Sequence, residues 1–106
     1  MSKSIRFLFA LALATSLAGS LSFAQSGEAV YKARCQSCHG AAGVPNPGIA
    51  KMMGVKPITA TAVKSTSEAD MVKDTANGVG KMQPFKGKIS DAEIKASVQY
   101  FRSLAK

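Results

Sequence analysis

The stretch RCQSCHG, residues 34–40, holds both cysteines and the only histidine of the chain. Two thiols and an imidazole within a single helical turn constrain this fold more than any other feature, because whatever they bind must sit against that turn. A Cys-x-x-Cys pair alone has three readings: a redox dithiol, half of a zinc site, or an attachment point for a prosthetic group. The rest of the chain has to decide between them.

The N-terminus reduces how much chain there is to fold. Lys3 and Arg6 give a positive start, residues 7–19 form an uncharged and mostly apolar run, and Ser22 and Ala24 place small residues three and one before a cleavage point. That is the layout of a secretory signal peptide. The run is shorter than the ~20 residues that span a bilayer, and no cysteine follows it to carry a lipoprotein anchor. Residues 1–24 are therefore expected to be removed, leaving one domain over 25–106, exported to the periplasm and without a membrane span.

Such a short domain buries a small share of its surface and often needs a disulfide, a metal or another internal support. Its two cysteines make at most one bridge, and tryptophan is absent. Side chains alone thus promise a thin core. The formal net charge of +8 falls by two when Lys3 and Arg6 leave. The remaining lysines are scattered, without a basic run interleaved with aromatics, and export removes the chain from nucleic acid. A basic face for an acidic protein partner and simple solubility remain as readings of the charge.

Three helices separated by two loops account for most of the domain. The first is expected to start near Ser26 as cap, with Glu28 in its first turn, and Gly27, Tyr31 and Cys35 share one face of it. HGAAGVPNPG then breaks the helix. Residues 49–53 predict a short helix ended by Gly54, followed by an extended piece around Pro57. Ser67, Glu68, Asp70 and Gly78 mark the start and end of a second clear helix. In ISDAEIKASVQYFRSLAK, Ser90 and Glu93 form a capping box, Ile89 and Ile94 a hydrophobic staple, and Ile94, Val98, Phe101 and Leu104 one apolar stripe. No stretch alternates as a strand would, so the domain reads as all-α.

The opening cluster can now be weighed. Zinc takes about four ligands, and only Cys35, Cys38 and His39 are good ones. A dithiol of the thioredoxin kind needs a strand before its helix, and a disulfide between residues three apart closes too small a loop to add much. Histidine directly after the second cysteine points instead to haem. Two thiols one helical turn apart match the two vinyl groups of a haem, forming thioethers, and the adjacent imidazole is delivered to the iron as proximal ligand. Export agrees, because bacterial haem attachment of this type takes place outside the cytoplasm. A covalent haem also fills the thin core.

GEAVYKARCQSCHG, GKMQPF and SDAEIKASVQYFRSL together resemble the small bacterial class I c-type cytochromes, over essentially all of residues 26–106. The resemblance implies three to four short helices wrapped around one covalent haem c held by Cys35 and Cys38. It implies a crossing of the first and last helices, with Gly27 and Tyr31 against Tyr100 or Phe101. It also implies that a proline carbonyl accepts from His39, with Pro57 ahead of Pro45 and Pro47.

The sixth iron ligand decides the function. Methionine is usually a flexible core filler, and position separates the four in the domain. Met71 lies inside a helix, while Met52 and Met53 fall in a short helix soon after His39. Met82 lies in an irregular loop stiffened by Pro84 and anchored by Phe85, and MQPF is similar to the family's distal-ligand stretch. His39 and Met82 together leave no vacant axial site, which predicts a single-electron carrier between larger redox proteins rather than an enzyme; a monomer is expected. The competing reading is a haem enzyme or gas sensor, peroxidase-like, with an open or displaceable distal site. Lys81, Lys86 and Lys88 flank the loop and predict a positive ring that steers an acidic partner.

Overall fold

A computed structural model describes residues 25–106, so the signal peptide expected over 1–24 lies outside the described residues. Six helices follow in order: α1 Gly27–Arg34, α2 Gln36–His39, α3 Pro47–Met53, α4 Thr61–Lys64, α5 Glu68–Asn77 and α6 Asp91–Ser103. Among the described residues the only pairings outside helices are two isolated bridges, Val79 with Met82 and Lys86 with Ile89. The fold is all-α, with four helices of two turns or so and more, and two single turns.

The caps lie where the sequence places them. Ser26 accepts from the Ala29 N–H at 3.2 Å, and Ser67 from the Asp70 N–H at 3.1 Å. Ser90 accepts from the Glu93 N–H at 3.1 Å while Glu93 accepts from the Ser90 N–H at 3.0 Å, closing the capping box. These bonds satisfy N–H groups that the helices cannot pair internally.

Two segments differ from the expectation. α3 begins at Pro47, not residue 49, because Asn46 accepts from the Gly48 N–H at 2.8 Å and Pro47 stands at the first helical position, where its missing N–H costs nothing. α4 was not expected at all. It has no side-chain cap and is rich in β-branched residues; its position follows from the preceding chain, where the Ile58 N–H donates to the Gly43 carbonyl at 2.8 Å.

α1 crosses α6 at close range, as the resemblance implies. A Cβ on Gly27 would overlap the Ala96 carbonyl group of α6, so glycine is what lets the two backbones meet. Four residues later Tyr31 lies against both Tyr100 and Phe101, with ring centroids 5.2 and 6.0 Å away. Val30, Tyr31 and Ile94 are buried at this crossing. A second cluster joins Ile58, Met71 and Val98, with Val63, Phe101 and Leu104 packed against it. Arg102 of α6 donates to the Thr66 carbonyl at 2.7 Å and ties α6 to the start of α5.

Candidate haem site

The Cys-x-x-Cys-His segment continues α1 with little interruption. The Cys35 N–H donates to Tyr31 O at 2.9 Å and the His39 N–H to Cys35 O at 2.9 Å, making residues 35–39 one helical turn. The Tyr31 hydroxyl donates to the Gly40 carbonyl at 2.6 Å, so the same aromatic that packs on α6 also closes the end of the motif. Both cysteines are half-buried, and no disulfide joins them. Burial and the neighbouring Cys38 push the Cys35 thiol up to about 11, which keeps it protonated at neutral pH.

His39 packs edge-on against Phe101, ring centroids 5.2 Å apart. Burial holds its pKa below the ordinary histidine value, favouring the neutral imidazole that ligates metals. Its Nδ1 is buried without a hydrogen-bond partner. Of the three prolines considered for this atom, Pro45 is buried, Pro47 opens α3, and the Pro57 carbonyl accepts from the Ala60 N–H at 2.9 Å. None of them receives the imidazole.

In front of this turn lie two cavities of about 650 and 220 Å³. Their common walls are Cys35, His39, Val63, Val79, Met82 and Phe101. A chain of this size that leaves such space between its helices, lined by apolar side chains, Cys35, Cys38 and His39, has room for a large flat cofactor. The donor set fits a haem: thiols for its vinyl groups, an imidazole nitrogen and a thioether sulfur for its iron.

The four methionines separate. Met52 is exposed, Met53 lines only the larger cavity, and Met71 is buried in α5 and lines only the smaller one. Met82 lines both, as His39 does. Its loop is a tight turn in which the Met82 N–H donates to Val79 O at 2.9 Å and the Val79 N–H to Met82 O at 3.2 Å. Gly78, at φ +80°, opens it; a Cβ there would stand 2.8 Å from Met82 O and 3.1 Å from Pro84 N. Buried Phe85 closes it, with its N–H donating to Thr75 O at 3.0 Å.

Charge at the larger cavity has one sign. Arg34, Lys56 and Lys81 lie among its lining residues, without a carboxylate. Of the three lysines singled out in the sequence, two have internal partners. Lys81 donates to Met52 O at 2.8 Å, and Lys88 donates to Gln83 Oε1 at 2.9 Å with its ammonium 5.9 Å from the Phe85 ring centre. Sequence reasoning missed Arg34 and Lys56 at this mouth, Val63 on the unexpected α4, and the Tyr31 hydroxyl; none carries a local signal.

Residues 22–101 match the family described as cytochrome c oxidase, cbb3-type, subunit III. This chain belongs to that family of c-type cytochrome domains. It is similar to cytochrome c6 of Leptolyngbya boryana, at 38% identity over 77 residues that cover 73% of this chain and 87% of the relative. Its fold is similar to that of the KustC0563 c-type cytochrome, with a TM-score of 0.69 and 27% identity, over 77% of this chain and 100% of that one. The chain is thus a small class I c-type cytochrome, and its cofactor is a covalently bound haem c with Cys35 and Cys38 as the two thiols.

Proposed function

We propose that this chain is a periplasmic single-electron carrier, with His39 and Met82 as the axial ligands of its haem iron. The observation that carries the reading is that His39 and Met82, far apart in sequence, line the same pair of cavities. Haem, when bound, supplies a one-electron couple between ferric and ferrous iron. The residues set how that couple is used. Cys35 and Cys38 fix the position of the ring, and His39 presents a neutral nitrogen from the turn that follows. The Met82 thioether favours the ferrous state and so raises the reduction potential.

Both ligand positions of the iron would then be held by side chains, with the partly buried Val63 and Phe101 lining the same cavities. That arrangement suits outer-sphere electron transfer and leaves oxygen or peroxide no place to bind. The partner is a larger redox protein with an acidic face, supported by the carboxylate-free mouth at Arg34, Lys56 and Lys81. Export is supported by the signal-like residues 1–24.

The absorption spectrum of the purified ferric protein tests the ligands. A methionine–iron charge-transfer band is expected in the wild type and absent in Met82→Ala, whose ferrous form should gain rapid carbon monoxide binding. A wild-type protein without the band that binds carbon monoxide at once would instead support a haem enzyme or gas sensor.

A further inference from the structure

The two walls of the larger cavity come from unrelated parts of the chain. Residues 53–56, at and beyond the end of α3, form one wall, and residues 79–83 of the methionine loop form another. α3 buries none of its residues, so packing alone gives it little reason to stay in place over the cavity. A single cross-link spans the mouth. The Lys81 ammonium donates to the Met52 carbonyl at 2.8 Å, between residues 29 apart in sequence. Among the described residues no other hydrogen bond joins segment 47–57 to segment 78–86.

The geometry of this link is favourable at both ends. Met52 lies in the last turn of α3, whose carbonyls have no partner within the helix and carry the negative end of its dipole. A lysine is a suitable donor for such a carbonyl. At the other end, Lys81 sits in the Val79–Met82 turn, directly before Met82. Whatever holds the Lys81 side chain therefore restrains the backbone that carries the Met82 thioether.

We infer that Lys81 is a positioning residue: its bond to the Met52 carbonyl latches α3 to the methionine loop and keeps both walls closed over the haem. The inference rests on the assignment of Met82 as distal ligand. Lys81 does not touch the iron and acts through Met82 and α3. The bond lies at the surface, so its contribution is modest. Its loss should raise the fraction of molecules with an open distal side by about threefold.

Imidazole binding to the ferric holoprotein reads that fraction, because imidazole takes the iron only when the distal side chain has left. Lys81→Ala is expected to bind imidazole about threefold faster than wild type. Lys81→Arg, which keeps a long cationic donor, should return to the wild-type rate, and Lys95→Ala, which removes an exposed charge from α6, should not differ from wild type. Amide hydrogen exchange in residues 47–56 and 79–83 should quicken together in Lys81→Ala alone. Met82→Ala separates the two claims. If it leaves the ferric spectrum and the imidazole rate unchanged, Met82 is not the ligand and the latch falls with it. If Met82→Ala changes both but Lys81→Ala matches Lys95→Ala, the ligand assignment stands and the latch alone is overturned.

Discussion

Replacing Gly27 by alanine adds one methyl group where α1 meets α6. The new Cβ would overlap the Ala96 carbonyl oxygen and approach the Ser97 nitrogen to 3.2 Å. Both are backbone atoms inside a helix, so no side-chain rotation relieves the clash and the two helices must separate. Overpacking of this kind costs about 1–3 kcal/mol, and alanine's better helix propensity returns at most about 1 kcal/mol, less at the first helical position. Separation also loosens Tyr31 from Tyr100 and Phe101, whose centroids stand 5.2 and 6.0 Å away. A net loss of about 2 kcal/mol corresponds to a fall in Tm of roughly 8–16 °C for a domain of this size. Thermal unfolding of the holoprotein, followed by far-ultraviolet circular dichroism, measures it. Gly48→Ala is the control, since a Cβ there meets no backbone and only the Oδ1 of the capping Asn46 side chain, at 3.3 Å. If Gly27→Ala melts within about 2 °C of that control, the close crossing does not hold the fold together as argued.

Tyr31→Phe removes the 2.6 Å bond to the Gly40 carbonyl but keeps the ring; because that carbonyl also accepts from the Gly43 N–H at 3.1 Å, the expected cost is about 1 kcal/mol in urea unfolding at constant slope. The Glu93 carboxyl is held below its ordinary range chiefly by the Ser90 N–H, then by the Ser90 side chain, the Gln25 N–H and Arg34. Its stabilising effect is thus complete above the ordinary carboxylate pKa and disappears as pH falls through the lowered value. The stability gap between wild type and Glu93→Gln should therefore close on acidification, and a gap independent of pH would contradict the assignment. Lys56→Glu combined with Lys86→Glu should slow oxidation of the ferrous protein by ferricyanide, a small anion, severalfold at low salt, with the difference shrinking as ionic strength rises.

Much of the architecture was legible because its signals are local. Ser26, Ser67 and Ser90 each cap the N–H group three residues ahead, so three helix starts can be read from neighbours in the chain. The apolar stripe Ile94–Val98 is buried as its spacing predicts. α4 was missed because no cap or periodicity marks it; what sets it in place is a bond from Ile58 to Gly43. The resemblance favoured the Pro57 carbonyl for His39, but that carbonyl accepts from the Ala60 N–H and the buried Nδ1 has no hydrogen-bond partner.

The order of side chains along the chain was enough to specify haem, because two thiols and an imidazole within one turn need no distant residue to define their chemistry. That order also supplied a methionine in a stiffened loop and the family to which the chain belongs. Tertiary structure decided what stands around the iron site: Met82 on the same cavities as His39, cations at the mouth, and Lys81 tied to Met52 rather than free in a ring. Those relations join segments tens of residues apart. They depend on how α1 and α6 cross and how the loop folds back, which packing determines and local sequence does not encode.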